Sequence, residues 1–185
     1  MTLSVVPIHK QPQFLRACCD LVNSEWKRSD TARLRSLESS CDHLPVSLIL
    51  IKEGSLIGHL KLSIIPSIKE GCFVESVVIK QDHRGQGYGT VLMKEAEKYC
   101  KNFLHLKVIY LSTKGQEKFY HKLGYEECAP ISIYGSFGVS SQVKSFKDNK
   151  CVKKVVSENA PMAPPLPVHI NNSGNSLKTY MRKEL

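Results

Sequence analysis

From Arg84 to Thr90 the chain reads Arg-Gly-Gln-Gly-Tyr-Gly-Thr, with glycine at 85, 87 and 89. Glycines at alternate positions leave successive backbone N–H groups uncovered and let the main chain approach an anion closely. Val77-Val78-Ile79 precede this turn. Thr90 to Asn102 follows it with Val91, Leu92, Ala96 and Tyr99 on one helical face. A turn between a strand and a helix exposes the free amides of the helix N-terminus, which suits a diphosphate, and Arg84 adds positive charge. The spacing G-x-G-x-G is not the dinucleotide fingerprint, which is G-x-G-x-x-G directly after its strand, and the G-K-[ST] of a P-loop is absent. A plain tight connection is the other reading of these glycines.

The rest of the chain must hold that turn. Val5 and Val6 suggest an edge strand. Gln11 to Ser24 has Phe14, Leu15, Cys18, Leu21 and Val22 at helical spacing, with Pro12 in the first turn. Glu25 to Asp42 reads as a short helix or ordered loop. Val46 to Ile51 and Leu56 to Ile65 form a predicted hairpin turning at Lys52 to Ser55. Strands follow at Cys72 to Ile79, Leu106 to Leu111, Cys128 to Tyr134 and Leu177 to Leu185. A second helix over Gly115 to Leu123 stops at Gly124. The order predicts one domain over 1–185, an α/β or α+β mixed twisted sheet with helices on both faces. A proline- and lysine-rich loop is expected over 136–175, before the last strand.

Apolar residues are 42% and charged residues 23%, a globular balance. Lys and Arg number 26 against 17 Asp and Glu, a net +9 that favours an acidic partner of some kind. Cysteines 18, 19, 41, 72, 100, 128 and 151 form no C-x-x-C pair, and the histidines show no ligand spacing, so no metal site is expected. Met1 to Lys10 lacks the apolar core of a signal peptide, and no run approaches the ~18 apolar residues of a membrane span. The expectation is a reduced, cytosolic protein with free thiols and no membrane contact. The lone Trp26 and the lack of aromatic–basic interleaving argue against nucleic acid.

Arg84, Gly87 and Gly89 spell R-x-x-G-x-G, and Phe119-Tyr120-His121-Lys122-Leu123-Gly124-Tyr125 spells F-Y-x-x-L-G-Y about 30 residues later. Two such motifs in this order resemble the GNAT acyltransferase superfamily. The resemblance implies acetyl-CoA as cofactor, its diphosphate on Arg84, Gly85, Gln86, Gly87, Tyr88, Gly89 and Thr90. It implies that Val77, Val78 and Ile79 lie on a splayed strand holding the pantetheine arm, with Ser112 and Gln116 close by. Many relatives carry Asn where this chain has Ser112-Thr113. Tyr120 would lie near the sulfur and protonate the leaving thiolate, or else only pack. An amine would attack the thioester directly. An α-amine, with a pKa near 8, needs only a modest base, against about 10.4 for lysine. Glu75 is the candidate base, or a surface charge on the strand.

Trp26 to Leu37 carries Lys27, Arg28, Arg33 and Arg35 against the single acid Asp30. Guanidinium forks suit carboxylates, although a solvated basic loop has the same composition. The pattern W-x-R-S-x-T-x-R-L-x-S-L, with Gly58-His59…Leu62-Ser63 and Val74-Glu75, is similar to the family of N-terminal acetyltransferases that modify actin. That resemblance implies an acidic actin N-terminus as partner, bound by Trp26, Arg28, Arg33, Leu34, Arg35 and Ser36. Pro164, Pro165 and Pro167 would then be a short profilin-binding run, or a stiff loop. A broader N-terminal or lysine acetyltransferase, or a non-catalytic acetyl-CoA-binding module, are the alternatives. A polyamine acetyltransferase should have an acidic groove instead.

Overall fold

The apolar run at Val46 folds back on itself at Glu53-Gly54. Both residues have positive φ, 49° and 76°, as a two-residue hairpin of the native twist requires. The hairpin strands are β2 (Val46–Lys52) and β3 (Ser55–Ile64). β1 (Leu3–Pro7) covers the free side of β2, and β4 (Gly71–Ile79) covers the free side of β3, both antiparallel. The computed structural model describes residues 2–133 and 178–185. They fall within one compact unit, Met1–Ser136 with Leu177–Leu185. The expected loop over 136–175 and the prolines 164, 165 and 167 lie outside the described residues. No helix of the described residues is long and apolar enough to cross a membrane.

From β4 the chain passes through α3 (Tyr88–Asn102) to β5 (Val108–Thr113), which lies parallel to β4. It continues through α4 (Glu117–Lys122), closed by Gly124 at φ 87°, to β6 (Glu126–Cys128). The C-terminal strand β7 (Thr179–Glu184) inserts between β5 and β6. The described sheet therefore has seven strands in the order β1-β2-β3-β4-β5-β7-β6.

Helices cover both faces. On one, Leu92, Met93, Ala96 and Cys100 of α3 pack on Leu48, Leu50, Leu60, Leu62 and Val74. On the other, Cys18, Cys19 and Val22 of α1 (Leu15–Glu25) and Leu37 of α2 (Asp30–Glu38) pack on Ile49 and Val78. Adjacent side chains of a strand point to opposite faces, so Leu48 and Leu50 serve one core and Ile49 the other. That double burial explains why β2 is nearly all apolar. Two expectations need correction. α1 starts at Leu15, after a single 3₁₀ turn at Pro12–Phe14. Among the described residues strand structure past Tyr125 covers only Glu126–Cys128; of the strand expected over Cys128 to Tyr134, residues 129–133 are not strand and Tyr134 lies outside the described residues. Pro130 has no N–H to donate to a ladder.

The strand that matters most is β4. It pairs with β5 only from Gly71 to Val74, against Val108–Leu111, although β4 runs on to Ile79 and β5 to Thr113. Beyond Val74 the two strands part. On its other side β4 carries a bulge: Lys61 opposes Glu75 and His59 opposes Val78, so β4 spends one extra residue there. A bulge bends its strand and raises the local twist. Ser76 within it has φ 54°, the left-handed region, and its carbonyl accepts a bond from Nδ1 of the buried His59, 3.2 Å away. Gly58 sits at the same crossing. A Cβ there would lie 2.7 Å from Ile79 Cδ1 and 3.3 Å from the Val78 carbonyl oxygen.

Two outcomes follow for stability. Gly58→Ala is expected to destabilise by about 1–3 kcal/mol through overpacking, read by urea unfolding. Burial lowers the His59 pKa from 6.5 to about 4, Arg33 and Lys61 adding to the effect while the Ser76 bond opposes it. Between these values the unfolded chain binds a proton that the folded chain refuses. Stability should therefore fall on acidification from about pH 6.5 to 4, by at most about 3 kcal/mol. Unfolding midpoints of wild type and His59→Asn across that window check it, the variant being flatter.

Candidate active site

The glycine turn lies between the end of β4 and α3. Gly85 and Gly87 have φ of 75° and 85°, with open space where a Cβ would stand. The first bonds of the helix are Thr90 N–H and Val91 N–H to the Gly87 carbonyl, at 3.0 and 3.2 Å. The amides of Gly85, Gln86, Gly87, Tyr88 and Gly89 donate to no acceptor among the described residues. They form an unobstructed row of donors at the positive end of a 15-residue helix. Gly89 serves packing as well, because a Cβ there would come within 3.4 Å of Phe119. Arg84 donates from Nε to the Ile79 carbonyl at 2.9 Å, and its guanidinium pairs with Glu25. The Gln86 side chain donates from Nε2 to the Asp82 carbonyl at 3.1 Å, leaving its backbone amide free. The Lys52 ammonium lies 5.1 Å from the Tyr88 ring centre. The uncovered amides, the glycine spacing and the nearby Arg84 suit a diphosphate.

Two clefts open where β4 and β5 part. One, of about 740 Å³, is lined by Val77, Val78, Ile79, Arg84, Gly85, Gly87, Tyr88, Gly89 and Thr90. The other, of about 870 Å³, is lined by Phe73, Glu75, Ser76, Ser112, Lys114 and Lys178, among others. Trp26, Val77, Gln116 and Tyr120 line both. A long ligand laid along the glycine turn can thus present its end to a second molecule through the gap. Among the residues expected at the cofactor, Ser112 lies in the second cleft and Gln86 lines neither.

Tyr120 is on α4 and only 8% exposed. Phe119 and Tyr125 meet its ring edge-on at 5.0 and 5.8 Å. Burial raises its phenol to about 12, so it holds its proton throughout the neutral range. Its hydroxyl has no hydrogen-bond partner among the described residues, which leaves a proton donor at the junction of the clefts. Glu75 is half-buried in the second cleft and forms no ion pair among the described residues. Its cross-strand neighbour Lys61 donates instead to the Ser36 hydroxyl at 3.0 Å.

The basic segment divides in two. Ser29 caps α2 by accepting from the Ala32 amide at 3.3 Å. Asn23 staples the turn, donating to the Arg28 carbonyl at 3.1 Å and to Asp30 at 3.0 Å. Arg33 donates to the Asn23 side chain at 3.0 Å and to the Trp26 carbonyl at 2.6 Å. Leu34 packs into the second core. Arg33, Leu34 and Ser36 therefore shape the segment. Arg28 and Arg35 are exposed, their guanidinium groups without partners among the described residues, and Trp26, 47% exposed, reaches both clefts. None of Arg28, Arg33, Leu34, Arg35 or Ser36 lines either cleft directly. The sequence reading missed Lys178 and Tyr180 of the second cleft. They come from the far end of the chain, and no local pattern joins them to Glu75.

Known proteins resemble this chain in sequence and in fold. N-alpha-acetyltransferase 80 from Mus musculus is 33% identical over 128 residues, 65% of this chain and 40% of that protein. The chain thus spans well under two thirds of that relative. An aminoglycoside 6′-N-acetyltransferase complexed with coenzyme A superposes with a TM-score of 0.66 at 15% identity, over 100% of this chain and 97% of that one. The spermidine N-acetyltransferase SpeG from Vibrio cholerae reaches 0.57 at 19% identity, over 69% and 81%. At these identities the solved structures speak for the fold alone. The model of the acetyltransferase (GNAT) family matches residues 13–125, and the chain belongs to that family, whose acetyltransferases use acetyl-CoA.

Proposed function

We propose that the chain acetylates the α-amino group of a peptide whose N-terminus is acidic, the processed N-terminus of actin being the acceptor we favour. The observation that carries this reading is the meeting of two clefts at Val77, Gln116 and Tyr120. One is rimmed by bare amides, and the other is flanked by cations that the fold does not use. The α-amine specificity takes support from the likeness to N-alpha-acetyltransferase 80. Actin takes support from the Trp26 to Leu37 pattern.

Acetyl-CoA, when bound, supplies an activated acyl group. The amides of Gly85 to Gly89 and Arg84 would hold its diphosphate, and the backbone of Val77 to Ile79, unpaired on the β5 side, would hold its arm. Glu75 would take the proton of the incoming α-amine, directly or through water. An α-amine near pKa 8 needs only a carboxylate-strength partner for this. Tyr120, which keeps its phenolic proton throughout the neutral range, would direct that O–H at the departing thiolate and protonate it as the C–S bond breaks. Arg28 and Arg35, joined by Lys114 and Lys178, would attract the leading carboxylates of the peptide and repel a polyamine.

The direct test is CoA release with an Asp-Asp-Asp peptide, a neutral peptide and a peptide offering only a lysine amine. Turnover confined to the first supports the reading. Preference for the lysine peptide, or cofactor binding with no turnover, overturns it. Tyr120→Phe should lower kcat at least tenfold while acetyl-CoA affinity stays within about twofold, read by steady-state kinetics and calorimetry. Arg28→Ala with Arg35→Ala should raise KM for the acidic peptide about tenfold, ~1.4 kcal/mol, and leave the neutral peptide unchanged. The effect should shrink as salt rises from 0.05 to 0.5 M, within the range where screening becomes strong.

A further inference from the structure

His59 is a polar ring where packing alone calls for an aliphatic one. It stands in the second core beside Ile49 and opposite Val78, 2% exposed. Its Nδ1 lies 3.2 Å from the Ser76 carbonyl oxygen, and its Nε2 is buried with no partner. A carbonyl only accepts, so Nδ1 carries the proton and Nε2 is bare. An orphaned buried acceptor costs stability that leucine at this position would not lose. Arg33 from α2 and Lys61 from β3 face the ring and oppose a second proton. His59 lines neither cleft.

What the imidazole provides is the one side-chain bond to the carbonyl of Ser76 among the described residues. Ser76 holds φ at 54° without being glycine, a conformation that survives only where its surroundings over-determine it. The bulge it forms separates Glu75, on the acceptor side, from Val77, Val78 and Ile79, which turn toward the glycine loop. We propose that His59 is a positioning residue for acetyl transfer: its Nδ1–H clamps the Ser76 carbonyl and so fixes the bulge that holds β4 away from β5. It touches neither substrate and acts through the backbone of Glu75 to Ile79. Only its kinetic consequence rests on the acetyl-transfer reading given above.

Three measurements test it. Long-range ¹H–¹⁵N NMR of the wild-type imidazole at pH 7 should show Nδ1 protonated and Nε2 bare; a proton on Nε2 overturns the proposal. In His59→Leu, hydrogen exchange at the β3-facing amides of Val78 and Lys80 should quicken at least tenfold while the α3 amides stay as they are. His59→Asn, whose amide nitrogen can occupy the place of Nδ1, should restore protection. Unchanged exchange in the leucine variant, or a uniform rise that includes α3, overturns it. With the acidic peptide, His59→Leu should lower kcat about tenfold and leave peptide KM within twofold, with the asparagine variant recovering most of kcat. A leucine variant with wild-type kcat overturns the assignment. Should wild type acetylate no amine while exchange and tautomer behave as stated, the acetyl-transfer reading fails and the clamp on the bulge stands.

Discussion

An interior strand normally spends all its backbone groups on its two neighbours, and β4 does not. Past Val74 it keeps β3 on one side and loses β5 on the other. A row of peptide groups from Glu75 to Ile79 is left facing the gap within the sheet. Unpaired backbone in such a place is expensive unless a ligand or water satisfies it. Both clefts, the position of Tyr120 and the approach to the glycine turn all follow from that parting. The bulge at Ser76 and the close contact at Gly58 hold its geometry from the β3 side.

Charge is divided by the fold into two uses. Arg16 bridges Asp20 and Asp30, Arg33 braces the Trp26 turn, Arg84 pairs with Glu25, and Lys183 meets Glu97 at 2.6 Å. Most of these are exposed or half-exposed pairs, worth about 0–1 kcal/mol each, so they organise local geometry more than they stabilise the domain. Arg28, two residues past Trp26, and Arg35 on α2 remain uncommitted on the surface. The net charge of +9 says that an anion is attractive. Only the hydrogen-bond pattern says which guanidinium groups are free to meet one. The same logic separates Arg33 from its neighbours, although all three share a sequence pattern.

Local physics was strong enough to read most elements directly. The hairpin at Glu53-Gly54, the α3 face of Leu92 and Ala96, and the stop at Gly124 are each set by residues within a few positions of one another. The glycine turn was legible for the same reason: left-handed φ at Gly85 and Gly87 and the missing partners of a helix N-terminus are local properties. The strand expected over Cys128 to Tyr134 was misread because β-rich composition does not reveal where a partner strand ends. Pairing stops at Cys128, two residues before Pro130.

The amino-acid order by itself determined the glycine turn with its uncovered amides, the alternation that buries β2 on both faces and the excess of positive charge. These depend on spacing, on backbone freedom and on composition. Tertiary structure decided the rest. Inserting β7 between β5 and β6 brought Lys178 and Tyr180 to the cleft that holds Glu75. Parting β4 from β5 placed Tyr120 where the clefts join. Folding α1 and α2 onto one face assigned Arg33 to a structural bond and left Arg28 and Arg35 free. Each is a contact between residues far apart in the chain, chosen by how sheet and helices pack together, and no short window of sequence contains it.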